Sequence, residues 1–150
     1  MAARDKKSKK PSATSLKPRE EIVFFVDASL GSKVVPQALR NAGAKVEIHD
    51  DHFAQGTPDE TWLRSVGERG WVVLTKEDRI RFHDLEKKAL LAAGTRAFVL
   101  TAKGLRGAEN GAILAAALKS VYHFLENHPA PFIAKISRSG TVALIPLDSR

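Results

Sequence analysis

Acidic side chains follow two strongly apolar runs of this sequence, at the point where each run ends. Asp27 comes directly after Ile22–Val26, and Glu77 and Asp78 come soon after Trp71–Leu74. Short runs of β-branched and aromatic residues are typical of strands buried on both faces. In open α/β sheets, ligands bind outside the carboxyl ends of the strands. The two runs therefore predict a carboxylate pocket at one edge of a sheet.

Carboxylates in such a pocket are one way to hold a divalent metal ion. Mg²⁺ and Mn²⁺ prefer oxygen ligands, and either ion can activate water and stabilise charge on a phosphate group in transfer. Asp27 and the pair Glu77/Asp78 provide two corners of such a site, and Asp59 is the third candidate. Two alternatives stay open, because Asp59 lies where acids favourably complement a helix dipole and Asp78 could be an ordinary turn residue.

Hydroxyl and basic side chains lie next to these acids in the sequence. Ser29 and Thr75 could orient a carboxylate or a metal-bound water, or satisfy local backbone groups. The basic side chains nearest to the second acid pair could bind a phosphate backbone or neutralise the carboxylates; they are Lys76, Arg79 and Arg81.

Other polar residues have weaker claims to a role. Asp50 and Asp51 close a further strand-like run and could touch the rim of the pocket, although an Asp-Asp-His loop is usually solvated. Glu109 is explained by capping of a helix that begins nearby. The five histidines show no metal-ligand spacing.

Strand and helix signals alternate four times along the chain. The apolar runs Ile22–Val26, Lys45–Ile48, Trp71–Leu74 and Ala97–Leu100 predict four strands. We expect the helices between and after them at residues 30–42, 57–69, 84–93 and 108–126. The second of these is expected to start with Pro58 in the first helical position and a capping box formed by Thr57 and Glu60. Short connections favour right-handed crossovers, hence a mainly parallel sheet with helices on both faces.

Two further short runs near the C-terminus, Phe132–Ile136 and Val142–Ile145, flank Ser139-Gly140 and predict a β-hairpin. Whether the hairpin extends the sheet, stands apart or serves a partner is left open by the sequence.

Composition describes one domain with a basic tail. The chain has 150 residues and a formal net charge of +7. Residues 1–19 hold seven basic and one acidic side chain, whereas residues 20–150 hold 17 basic and 16 acidic ones. We expect residues 1–19 to form a disordered tail that is either solubilising or a nonspecific nucleic-acid arm. Residues 20–150 form the folded domain. The absence of cysteine and of any long apolar stretch fits a cytoplasmic protein without a membrane segment.

Three segments of the chain resemble the PIN-like domain. They are Phe24–Gly31, Thr57–Leu63 and Gly70–Lys76, and the resemblance extends over about residues 22–145. More narrowly, the chain is similar to the short PIN-like relatives of VapC-type toxins. The resemblance implies a three-layer α/β/α fold and a Mg²⁺- or Mn²⁺-dependent ribonuclease that hydrolyses RNA, with an antitoxin protein as partner and a homodimer as a further option.

The resemblance also assigns roles to the acids. Asp27 matches the acid of the first strand and Asp59 the acid at the helix start. The third acid of the family normally follows its strand as Thr-x-Asp, whereas this chain has Glu77 at that position and Asp78 beside it. A glutamate extends further than an aspartate, so Asp78 could take its place or the site could be weakened.

Two other function classes are weighed against the nuclease. A non-catalytic PIN-like module that binds RNA or protein would explain the glutamate at position 77. A phosphorelay receiver would need a phospho-accepting aspartate at the end of the third strand, where this chain has Leu74-Thr75-Lys76, and is disfavoured.

Overall fold

A computed structural model describes residues 21–76 and 83–146 of the chain. Its strands are β1 (Val23–Val26), β2 (Lys45–Ile48), β3 (Val72–Thr75), β4 (Arg96–Leu100), β5 (Phe132–Ile136) and β6 (Val142–Ile145). Its α-helices are α1 (Val34–Asn41), α2 (Asp59–Glu68), α3 (Asp84–Ala93) and α4 (Gly107–Asn127). Two short 3-10 helices, Ala28–Leu30 and His49–Asp51, follow β1 and β2.

The six strands form one sheet in the order β2-β1-β3-β4-β5-β6. Strands β1 to β5 are parallel, and β6 is antiparallel to β5. Val26, the last residue of β1, lies opposite Ile48 on one side and Leu74 on the other. The C-terminal hairpin therefore extends the sheet at its edge, which answers the question that the sequence left open.

Helices cover both faces of the sheet. Helices α1 and α4 pack against each other on one face, and α2 and α3 pack against each other on the opposite face. Alternate residues of β1 supply the two cores: Phe24 and Val26 face α1 and α4, whereas Phe25 faces α2 and α3. All three are fully buried, and each contributes roughly 1.5–3 kcal/mol to stability by leaving water. The predicted three-layer α/β/α PIN-like fold with a mainly parallel sheet is confirmed.

Two helix starts differ from the sequence prediction. Helix α1 was expected from Leu30 but begins at Val34, because residues 28–30 form a 3-10 turn that the Asp27 side chain caps. The capping box predicted for α2 is wrong. Pro58 is the N-cap residue and makes no side-chain capping bond, and the Thr57 hydroxyl instead donates to the carbonyl of Ala54 at 2.6 Å.

Several predictions fall on residues outside the described ranges. These are the basic tail at residues 1–19, the acids Glu77 and Asp78, and the cations Arg79 and Arg81. Within residues 21–76 and 83–146, no helix is both long and apolar enough to cross a bilayer.

Candidate functional site

A pocket of about 320 Å³ lies at the carboxyl edge of the sheet. Its walls come from the segments that follow β1 and β2 and from the start of α2. The chain passes from β2, on one side of β1, to β3 on the other side, and in open α/β sheets such a reversal of strand order opens a crevice for ligands. Two of the predicted site residues, Asp27 and Asp59, line this pocket together.

The carboxylate of Asp27 is held by two hydroxyl groups. Its Oδ2 atom accepts hydrogen bonds from Thr75 Oγ1 and from Ser29 Oγ, each at 2.7 Å. Thr75 is fully buried and Asp27 is 6% exposed, so this carboxylate has one fixed orientation. Among the described residues, Oδ1 accepts no hydrogen bond, which leaves that oxygen available to a ligand. The orienting role considered for both hydroxyls is what the structure shows.

Ser29 ties the ends of β1 and β3 together. Its Oγ atom lies 3.1 Å from Thr75 Oγ1 and accepts a hydrogen bond from the backbone amide of Lys76 at 3.0 Å. The Lys76 side chain is half-buried and is not among the residues that line the pocket. These hydrogen bonds join the end of β3 to the short 3-10 helix that follows β1, and together they hold Asp27 in place.

Asp59 enters the pocket from the first turn of α2. Its Oδ1 atom accepts a hydrogen bond from the indole of Trp62, one turn further along the helix, at 3.0 Å. Trp62 is 1% exposed and packs on Phe25, with ring centroids 5.3 Å apart. The chain reaches α2 through a loop in which Gly56 adopts φ of +85°, a backbone conformation that residues with a side chain rarely adopt. Core packing therefore sets the position of this second acid.

Sequence reasoning missed His49, which lines the same pocket. The residue is 6% exposed, and its ring packs against Phe25, Phe53 and Trp62. Its Nδ1 atom has no hydrogen-bond partner in the described part of the chain. The available signal was its position directly after β2, at the same carboxyl edge that drew attention to Asp27.

Asp50 also lines the pocket, whereas Asp51 does not. The Asp50 side chain is about half exposed, with 51% of its surface accessible, so it belongs to the rim. Of the two candidates for an additional acid, the structure brings only Asp50 to the site.

The pocket is acidic. Its described lining residues include the three carboxylates of Asp27, Asp50 and Asp59 and no lysine or arginine. A phosphate group would be repelled there unless a cation neutralised the carboxylates. Oxygen donors of this kind suit a hard divalent ion. In residues 21–76 and 83–146, however, no three His, Asp or Glu side chains come together as a metal-binding group, and the two candidates for the third corner, Glu77 and Asp78, lie outside those ranges.

Comparison with known proteins agrees with this architecture. A family model described as "PIN like domain" matches residues 22–102, a span that runs from the start of β1 to just beyond β4 and includes Asp27 and Asp59. The protein named "Putative ribonuclease VapC45" of Mycobacterium tuberculosis is 30% identical over 126 residues, which cover 81% of this chain and 91% of that protein. No solved structure shows a significant match. Because the family model covers more than half of the sequence and the relative is matched over most of both lengths, this chain belongs to the PIN-like domain family.

Proposed function

We propose that the protein is a metal-dependent endoribonuclease and the toxin component of a VapBC-type toxin–antitoxin pair. The observation that carries this proposal is the meeting of Asp27 and Asp59 in one acidic pocket at the carboxyl edge of the sheet. Support for RNA as the substrate comes from the similarity to a protein named as a ribonuclease. These two observations together support the predicted hydrolase activity and RNA as the molecule that is cut.

The residues present fit a divalent cation in the chemistry of their donors. Asp27 offers its Oδ1 oxygen, and Asp59 and Asp50 add carboxylate oxygens on two other walls. We assign Asp27 and Asp59 as metal ligands and expect Glu77, or Asp78 beside it, to complete the set. Bound Mg²⁺ or Mn²⁺ would activate water and stabilise the negative charge that develops on the phosphate.

The chain's own groups do the positioning. The hydroxyls of Thr75 and Ser29 fix the Asp27 carboxylate through Oδ2, so that its second oxygen faces the ligand without reorganisation. The Trp62 indole donates to Oδ1 of Asp59 and orients that carboxylate. Prior orientation of this kind lowers the barrier because the groups need not be ordered during the reaction. We propose that Lys76, Arg79 and Arg81 hold the RNA backbone beside the acids.

The partners and the location that we propose are those expected for a VapC-type toxin. We propose that an antitoxin protein covers the pocket or the nearby helices, that the chain can form a homodimer, and that it acts in the cytoplasm. The similarity to a VapC protein supports the antitoxin.

Cleavage of an end-labelled RNA, with and without Mn²⁺ or Mg²⁺, tests the function. The wild-type chain should cut only when metal is present, and Asp27→Asn should lose at least about 100-fold in rate, as expected when a group that stabilises charge is removed. Asp51→Asn is the matched control, because Asp51 is an exposed acid of a neighbouring segment that does not line the pocket. Its activity should equal that of the wild type. If the wild type and Asp27→Asn are equally inert with every metal, the nuclease proposal is wrong and a non-catalytic binding module takes its place.

A further inference from the structure

Acidic and basic side chains are unevenly distributed along the described part of the chain. Residues 21–76, which include the acidic pocket, hold six Lys or Arg and eight Asp or Glu. Residues 95–146, which include β4, α4 and the hairpin, hold six Lys or Arg and only two Asp or Glu. Residues 95–146 thus carry a net positive charge, whereas the segment that contains the acidic pocket carries a net negative one.

This basic region contains a groove of about 720 Å³ between α4 and the turn that joins β5 to β6. The polar residues that line it come from both walls: Lys119, Ser120, His123, Asn127 and His128 from the helix and the residue that follows it, and Ser139 and Thr141 from the turn. No Asp or Glu is among the described residues that line it. All of these polar residues are exposed except His128, which is half-buried. Some of their polar groups bond to one another: Asn127 Nδ2 donates to the His123 carbonyl at 2.8 Å, and Ser139 Oγ lies 3.2 Å from Thr141 Oγ1.

The turn is held rigidly by its own hydrogen bonds. The amide of Ser137 donates to the Thr141 carbonyl at 3.0 Å, and the amide of Gly140 donates to the Ser137 carbonyl at 2.8 Å. The Ser137 hydroxyl accepts from the Thr141 amide at 3.2 Å. The hydroxyls of Ser139 and Thr141 are therefore presented to the groove from a fixed backbone.

Basic residues connect the groove with the carboxyl edge of the sheet. Arg138, in the turn, donates from Nη2 to the carbonyl of Lys103 at 3.3 Å. Lys103 lies in the loop that follows β4, and Arg106 ends the same loop. That loop leaves β4 at the sheet edge where β1 and β3 deliver Asp27 and Thr75. The basic residues of this loop and the acidic pocket therefore lie on the same carboxyl side of the sheet.

We propose that the groove binds the sugar–phosphate backbone of a single RNA strand that extends away from the cleaved bond. This inference rests on the proposed function and adds a second contact surface for the same substrate. Lysine, hydroxyl and amide donors are the groups that contact phosphate and ribose. Such contacts carry no sequence information, so the groove binds RNA of any sequence.

A protein partner fits the groove less well. Protein interfaces are anchored by aromatic and apolar side chains in a desolvated centre. The large aromatic residue at the groove, Phe124, is 8% exposed, and the ring of His128 stacks on it at 3.7 Å. The surface of the Phe124 ring is thus already covered, and no exposed Phe, Tyr or Trp is among the described residues that line the groove.

Binding of a labelled single-stranded RNA, followed by fluorescence anisotropy in EDTA at several salt concentrations, tests the groove without cleavage. The full chain carrying Lys119→Gln and Arg138→Gln should bind about 5- to 20-fold more weakly. Its slope of log affinity against log salt should fall by about 1.4, since each phosphate contact with a single strand contributes about 0.7. Lys119→Gln alone should lower the slope by about 0.7 and avoids any effect on the turn.

The matched control is Lys45→Gln with Lys88→Gln, which removes the same charge from exposed positions on β2 and α3, outside the groove. It should leave both affinity and slope close to those of the wild type. Equal RNA binding by the groove variants and this control overturns the groove proposal, as does a wild type that binds no RNA. Cleavage is scored separately, so an inert enzyme whose RNA binding still depends on Lys119 and Arg138 would refute the nuclease and not the groove.

Discussion

Thr75, the last residue of β3, donates a 2.7 Å hydrogen bond to Asp27, the residue that follows the neighbouring strand β1. The bond joins residues 48 positions apart in the sequence, and Thr75 is fully buried. A hydrogen bond to a charged acceptor is worth about 1.5–3 kcal/mol. Through this bond, the packing of β1 against β3 sets the orientation of the acid that we place at the centre of the chemistry.

Replacement of Thr75 by valine should damage both stability and cleavage. Valine keeps the shape of threonine but cannot donate to Asp27, so the free energy of unfolding should fall by about 1–3 kcal/mol. The cleavage rate should fall about 10-fold, because the carboxylate loses its fixed orientation. Urea unfolding and single-turnover cleavage measure the two effects. Thr75→Ser, which keeps the hydroxyl, should retain most of the activity; equal losses in both variants would show that the hydroxyl has no orienting role.

Substitutions of Asp59 and of its neighbour Glu60 can distinguish a role in cleavage from a role in helix stabilisation. Both lie in the first turn of α2, where a negative charge contributes about 0.3–1 kcal/mol through the helix dipole. Only Asp59 lines the pocket. Asp59→Asn and Glu60→Gln should therefore lower the melting temperature to a similar degree, while only Asp59→Asn should reduce cleavage, by about 100-fold or more. Similar activities for the two variants would remove Asp59 from the site.

Metal binding should be visible without any RNA. Mn²⁺ or Mg²⁺ that binds only the folded state stabilises it, by about 2.7 kcal/mol at a concentration 100 times the dissociation constant. Thermal unfolding of the wild type should shift upward with Mn²⁺ and return with EDTA. Asp27→Asn should show a much smaller shift. An identical shift in that variant would place the ion elsewhere on the protein.

Gly67 of α2 should not tolerate alanine, although alanine is the better helix former by about 0.8–1.0 kcal/mol. A Cβ atom at this position would overlap Thr95 Oγ1 and lie 2.7 Å from the Cβ of Ala93. Overpacking of this kind costs about 1–3 kcal/mol, so the steric term should exceed the helix propensity and Gly67→Ala should lower the midpoint of urea unfolding. A variant as stable as the wild type would mean that α2 and α3 can move apart at little cost.

The strands were predictable because each lies on a short run rich in β-branched or aromatic residues, between segments with helix or turn signals. All six observed strands fall on the runs read from the sequence, with ends that shift by one residue at most. Helix α3 has its predicted bounds because Gly94 ends it in a left-handed conformation with φ of +67°. The start of α1 was misplaced because Asp27 caps a separate 3-10 turn, a local bond that hydrophobic periodicity does not report.

The pocket was predictable only in part. The rule that ligands gather at the carboxyl ends of parallel strands selected Asp27, and the pattern of the helix start selected Asp59. The burial of His49 depends on three aromatic rings from β1, α2 and the loop after β2, and such a contact between distant segments has no sequence signature. The groove beside α4 was missed for a similar reason, since it exists only where the turn after β5 packs against the helix.

The position of β1 between β2 and β3 has a consequence for hydrogen exchange. The amide of Asp27 donates to the Leu74 carbonyl at 3.0 Å, one residue beyond the paired segment of β1 and β3. Because both faces of this strand pair are covered by helices, that amide can meet solvent only when the whole sheet opens. The amide proton of Asp27 should thus be among the slowest to exchange with deuterium, and its exchange rate would report the global unfolding of the domain from within the acidic pocket.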